Sequence, residues 1–229
     1  MTAVPPPPSW TVTSVLERSY LMARDNFAAF VTITLVFGAI SLVVDLLSLG
    51  VLSGIVHLVC GAATSICITW GTFQLAKGRK PDWESMFRQM QAPMVVQLML
   101  VGVVQYLVIG LSAFLIIPPL ILLPLWAVTI PAMMAERLDF GAAFSRSADL
   151  TRFRRVAILL TFLLWAVIFM VGAAVILLVL GHGSLARLVA WIYSALAATV
   201  VYPLPTIFYV LLREEKEGMT PAQIAAPVE

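Results

Sequence analysis

Asp45, His57 and His182 are a carboxylate and the chain's two imidazoles, all set in otherwise apolar sequence. Together such groups could relay a proton or hold a metal ion. A carboxylate at the centre of a bilayer costs about 2.5–3.5 kcal/mol, and less near the interface. Asp45 therefore needs a partner or water, and its plain alternative is a hydrated or paired aspartate beside a turn. The run Gly181-His182-Gly183-Ser184 could present a nucleophile, but no strand–turn–helix pattern surrounds it and it reads as a tight turn. Gln97 and Gln105 could line a polar pathway or join two helices by hydrogen bonds. Cys60 and Cys67 lie seven residues apart, about 10.5 Å along a helix, whereas a disulfide needs Cα atoms within about 7 Å. Both read as packing residues. No catalytic constellation emerges, so the expectation is a non-enzyme with no cofactor and no metal.

The elements that position these groups follow from composition. Of 229 residues, 61% are hydrophobic and 11% charged, against about 25% charged in a soluble domain. Lipid is the natural solvent for most of such a chain, and a net charge of +2 gives no basis for a nucleic-acid partner. Residues 1–10 form a proline-rich tail with neither the basic nor the apolar region of a secretory signal. The cations are mostly Arg, which points to a GC-rich bacterial genome. A spanning helix takes about 20 apolar residues. This predicts an all-α, polytopic transmembrane bundle with spans near 27–47, 55–75, 94–114, 118–135, 156–180 and 188–211, and a cytoplasmic tail over 213–229. Gly50 to Gly54 reads as a turn, Ile116 to Pro119 as the tip of a hairpin. Pro124, Pro131, Pro203 and Pro205 should bend the fourth and sixth helices.

Between the spans, every Lys and Arg except Arg187 falls on one side of the bilayer. Cations are held on the cytoplasmic side, so both termini are expected there, in a bacterial inner membrane. Three short amphipathic segments belong to that side: 12–24, with Ser14 and Glu17 at capping-box spacing; 83–90; and 140–151, with Asp139 as N-cap. In the last, Phe140, Ala143, Phe144, Ser147 and Leu150 share a face. Glu136 and Arg146 are the candidate ion pair, because a reversal at 137–139 brings the arginine back over the end of the fourth helix. Lys77, Arg79, Lys80, Arg152, Arg154 and Arg155 are the candidate contacts to anionic lipid headgroups. The expected partners are the lipid bilayer and those headgroups, with room for a membrane-protein partner. The expected role is a structural, assembly or lipid-interacting module; the alternative is a small transporter or channel subunit.

Pro131, Glu136, Ala143, Arg146, Ser147 and Leu150, with Tyr209, Leu212, Arg213, Lys216, Glu217 and Gly218 near the end, form a recognisable pattern. It resembles the membrane domain found beside some glycerophosphoryl diester phosphodiesterases and its stand-alone bacterial relatives. Val15 to Phe27, Gly78 and Pro81 also fit. The resemblance implies a helical membrane domain with no chemistry of its own, since catalysis in the fused relatives belongs to a separate barrel. Arg137 and Phe153 stand where relatives often have glycine.

Reporter fusions at Gly50, Phe114 and Gly183 should report the outside, and fusions at Lys80, Phe153 and the C-terminus the inside. A cytoplasmic signal at Gly183 would contradict the six-span order.

Overall fold

The computed structural model describes residues 10–47, 50–91, 94–115, 117–181 and 183–228. Its described residues are helical, without strands, and six helices are long and apolar enough to cross a membrane. In chain order the helices are α1 (Val12–Asp25), α2 (Phe27–Leu46), α3 (Val51–Ala76), α4 (Trp83–Arg88), α5 (Val95–Ser112), α6 (Ile117–Leu125), α7 (Thr129–Glu136), α8 (Phe140–Thr151), α9 (Arg155–Leu180), α10 (Ser184–Val201), α11 (Leu204–Glu217) and α12 (Pro221–Ala225). Short 3-10 turns follow α4 and α5.

Neighbouring helices close a ring in the order α2, α3, α5, α6, α9, α10 and back to α2. Small residues allow close approach: a Cβ on Gly102 of α5 would lie 2.8 Å from the Ala62 Cβ on α3. In lipid, where no hydrophobic force pulls helices together, such tight contact is what holds them. α7 and α11 are the inner elements, and Phe208, Tyr209 and Leu212 of α11 are fully buried. α9 is the opposite case. Most of its apolar side chains, Val171 and Leu178 among them, face outward.

Two spans are broken in their middle. The fourth divides between Leu125 and Thr129, the stretch that holds Ala127, four residues before Pro131, and the sixth divides at Pro203, with Pro205 just after it. The prolines explain the breaks, since each removes an N–H from the helical ladder. An unsatisfied backbone group in lipid costs several kcal/mol, so other groups must take its place. Ser147 of α8 does this for the fourth span: its hydroxyl donates to the Leu125 carbonyl at 2.9 Å and accepts from Val128 N–H at 3.3 Å. Gln105 adds a bond to the Trp126 carbonyl at 3.0 Å. At the sixth span, the Ser19 hydroxyl donates to the Val200 carbonyl. Hence Val15, Ser19 and Ala23 of α1 form a buried stripe, and α8 buries Ala143, Ser147, Leu150 and Thr151.

Several local expectations are corrected. Thr11, not Ser14, caps α1; Ser14 is its partner three residues into the helix. Of the expected Gly50–Gly54 turn only Gly50 lies outside a helix: it has φ +55°, and α3 already begins at Val51. Residues 1–9 of the expected proline-rich tail lie outside the described residues, and its last residue, Trp10, is buried against Phe208. The C-terminal tail is not a free appendage: α11 runs on to Glu217, and α12 buries Ile224 and Ala225. Periodicity alone could not show this, because the sequence there is short and mixed. Asp139 caps α8 as expected, accepting from Ala142 N–H at 2.8 Å.

Arg137 ends α7 in the left-handed conformation, at φ +52° and ψ +42°. That geometry costs a residue with a Cβ about 1–2 kcal/mol, part of which glycine returns through its freedom when unfolded. Arg137→Gly should therefore raise stability by about 0.5–1 kcal/mol, read as a higher thermal midpoint in detergent. A lower midpoint would contradict it.

Candidate functional site

All the long charged segments gather at one end of the bundle, where α1, α4, α8, the end of α11 and α12 form a cap. Its centre is the Glu136 carboxylate, at the last residue of α7. Arg146 Nε donates to both carboxylate oxygens, at 3.0 and 2.9 Å. The Tyr209 hydroxyl donates to Oε1 at 2.9 Å, and Arg213 Nη1 donates to the same atom at 2.8 Å. Glu217 lies beyond, paired with Arg146 and Arg213. Arg213 also sits over the Tyr209 ring, 5.6 Å from its centroid. The side chains are largely screened from solvent, with 12% of Arg213 and 20% of Glu136 exposed. Burial alone would lower the Arg146 guanidinium, but its bonds to Glu217 and Glu136 outweigh that and hold it above its ordinary value. It is charged at any workable pH.

A second pair lies on the neighbouring face of α11. Arg154 grips Glu215 with two nitrogens, at 3.0 and 2.5 Å. Trp10 Nε1 donates to the other oxygen of Glu215 at 3.2 Å, and Arg154 stacks 5.1 Å over the Trp10 ring. Three carboxylates and three arginines thus tie α7, α8, α11 and the start of α9 together. The sequence singled out Glu136 and Arg146. It missed Tyr209, Arg213 and Glu217 as their partners, although the spacing i, i+4, i+8 puts these three on one helix face. Glu215 and Trp10 left no local signal, since they meet only in three dimensions.

Of the lipid-headgroup candidates, Arg154 is committed to Glu215, Arg155 donates to the Ala148 carbonyl at 2.9 Å, and Lys77 donates to the Val228 carbonyl. Arg79, Lys80 and Arg152 are exposed.

The opposite end holds the other polar group. His57 Nε2 is 3.4 Å from Asp45 Oδ2, the Ser53 hydroxyl donates to Asp45, and His57 Nδ1 lies 2.9 Å from the Ser53 carbonyl. Both side chains of the pair are about half-exposed. His182 lies outside the described residues. Among the described residues, no group of three His, Cys, Asp or Glu could hold a metal ion. From Asp45 and His57 an open cleft of about 260 Å³ runs between α2, α3 and α10, past Ser41, Thr34 and Thr64 to Tyr202. Gln97 is exposed on α5 and lines no part of this cleft. Gln105 serves the break after α6. Cys60 and Cys67 are free and buried.

No family model, curated protein or solved structure matches this chain.

Glu136→Gln should destabilise the protein by about 2–3 kcal/mol, because it removes the charged acceptor of three donors and leaves two screened arginines to share Glu217 as their one counter-charge. Arg146→Gln should cost less, since Glu136 and Glu217 each keep Arg213. A charge swap at 136 and 146 should not rescue either, because an arginine at position 136 would face Arg213. Thermal melts of the three variants in detergent check this, and equal losses for both single variants would contradict it.

Proposed function

We propose that this chain is a non-enzymatic protein of a bacterial inner membrane, with both termini in the cytoplasm, acting as a structural, assembly or lipid-interacting module. The observation that carries this reading is the self-satisfied cap. Glu136, Arg146, Tyr209, Arg213 and Glu217 use their charges and donors on one another, and Arg154 and Glu215 do the same. A catalytic site keeps at least one such group available for substrate. This one spends them on holding helices. The uncovered apolar wall of α9 supports an assembly role, because it offers lipid or a partner helix a continuous surface. The gathering of cations at the capped end supports the cytoplasmic orientation. The pattern of Pro131, Glu136, Arg146 and Ser147 supports kinship with the membrane domains found beside glycerophosphoryl diester phosphodiesterases.

The second reading, a small transporter, is favoured by one feature: the cleft that descends from Asp45 and His57. The two readings differ in access. In a Cys60→Ala, Cys67→Ala background, an impermeant thiol reagent should label Ser41→Cys from the outer side only and leave Thr34→Cys unlabelled. Labelling of Thr34→Cys from both sides in turn would replace the module by a transporter.

A further inference from the structure

A second open cleft, of about 430 Å³, lies at the capped end between α1, α3 and α11, well apart from Glu136. Its size is that of a small-molecule pocket. Its walls are apolar, from Leu21, Leu75, Ile207 and Val210. Its rim carries one cation, Arg18, and two carboxylates, Glu214 and Asp25, the second of which is paired with Arg24. Burial raises the Glu214 carboxyl above its ordinary value and the nearby Arg18 charge opposes that, yet the two form no ion pair, and neither has an ion-pair partner among the described residues. Opposite charges that feel each other across a gap are suited to a zwitterion, which can satisfy both at once.

A third group points the same way. Thr206 is fully buried on α11 and lines the cleft, but its hydroxyl has no hydrogen-bond partner among the described residues. A buried unpaired hydroxyl costs about 1–3 kcal/mol, so its persistence in a cleft marks a place where a ligand oxygen can sit. It lies two turns of α11 below Glu214, about 12 Å deeper. From rim to floor, the order is charge, apolar wall and one unpaired hydroxyl, since the Thr72 hydroxyl, also in the lining, donates to the Ile68 carbonyl. A glycerophospholipid has the same order of headgroup, then ester carbonyl and acyl chain.

We propose that this cleft binds a phospholipid with a primary ammonium headgroup: the phosphate on Arg18, the ammonium on Glu214, an ester carbonyl on the Thr206 hydroxyl, and the upper acyl chain along Leu75 and Val210. Charge complementarity selects this class. An anionic lipid without an ammonium leaves Glu214 facing a phosphate. A quaternary ammonium cannot donate a hydrogen bond to the carboxylate. The site does not depend on the assembly reading, since it rests on α1, α3 and α11 alone.

The test is native mass spectrometry of the purified full chain titrated with phosphatidylethanolamine, phosphatidylcholine and phosphatidylglycerol of the same acyl composition. The ethanolamine lipid should bind at least about tenfold more tightly than either other lipid, the worth of one charge-assisted hydrogen bond. Glu214→Gln should abolish that preference, and Arg18→Gln should weaken all three lipids. Thr206→Val should weaken the ethanolamine lipid while leaving the lipid-free thermal midpoint at or above that of the parent. Thermal midpoints of each variant without lipid show that it is folded, and Glu214→Asp, which keeps the charge, should retain the preference. Equal binding of the three lipids, or a preference unchanged in Glu214→Gln, would overturn the proposal.

Discussion

One carboxylate organises the capped end of this protein. Glu136 terminates a helix that has just crossed apolar surroundings, and it receives three donors from two other helices. Its position follows from the cost of charge in lipid. A charged group at the edge of the apolar layer must be hydrated or paired, and burial under α8 and α11 removes hydration as the answer. Arginine is suited to the pairing, because its planar fork can meet both oxygens of a carboxylate and still reach a second acid. Arg146 does both, touching Glu136 and Glu217. Removing one member leaves the others charged and screened, so the cluster stands or falls as a unit.

The broken spans obey the same economy. Proline interrupts two helices at mid-length, and at each break one backbone carbonyl is taken by a serine from a short helix of the cap, Ser147 in one case and Ser19 in the other. The short amphipathic helices therefore do more than rest on a membrane surface. α8 carries on one turn a serine that mends the break and an arginine that holds the acid, so cap and broken span are linked through a single element. At these breaks the Leu125, Trp126 and Val200 carbonyls and the Val128 N–H find side-chain partners within the chain.

Much of this was legible in the sequence. Long uncharged runs gave the six apolar helices, and charge segregation gave the two ends, because both obey the solvation cost of lipid. Asp139 was legible as a cap because an N-cap acts within three residues. Glu136 with Arg146 was legible because one short reversal separates them. Trp10 with Glu215, Ser19 with the Val200 carbonyl, and Lys77 with the Val228 carbonyl were not, since each joins segments far apart in the chain and no local pattern encodes the meeting. The docking of α12 was hidden for a related reason. Five residues of mixed polarity show no period, and the apolar surface that receives them is built by other helices.

The central claim is that the Glu136 cluster holds α8 and α11 onto the bundle. Hydrogen exchange measured by mass spectrometry on the parent protein and on Glu136→Gln tests it directly. Faster exchange confined to residues 140–151 and 204–217, with α2 and the first half of α3 unchanged, is the predicted result. Exchange in α8 and α11 that is the same in both proteins would contradict the account.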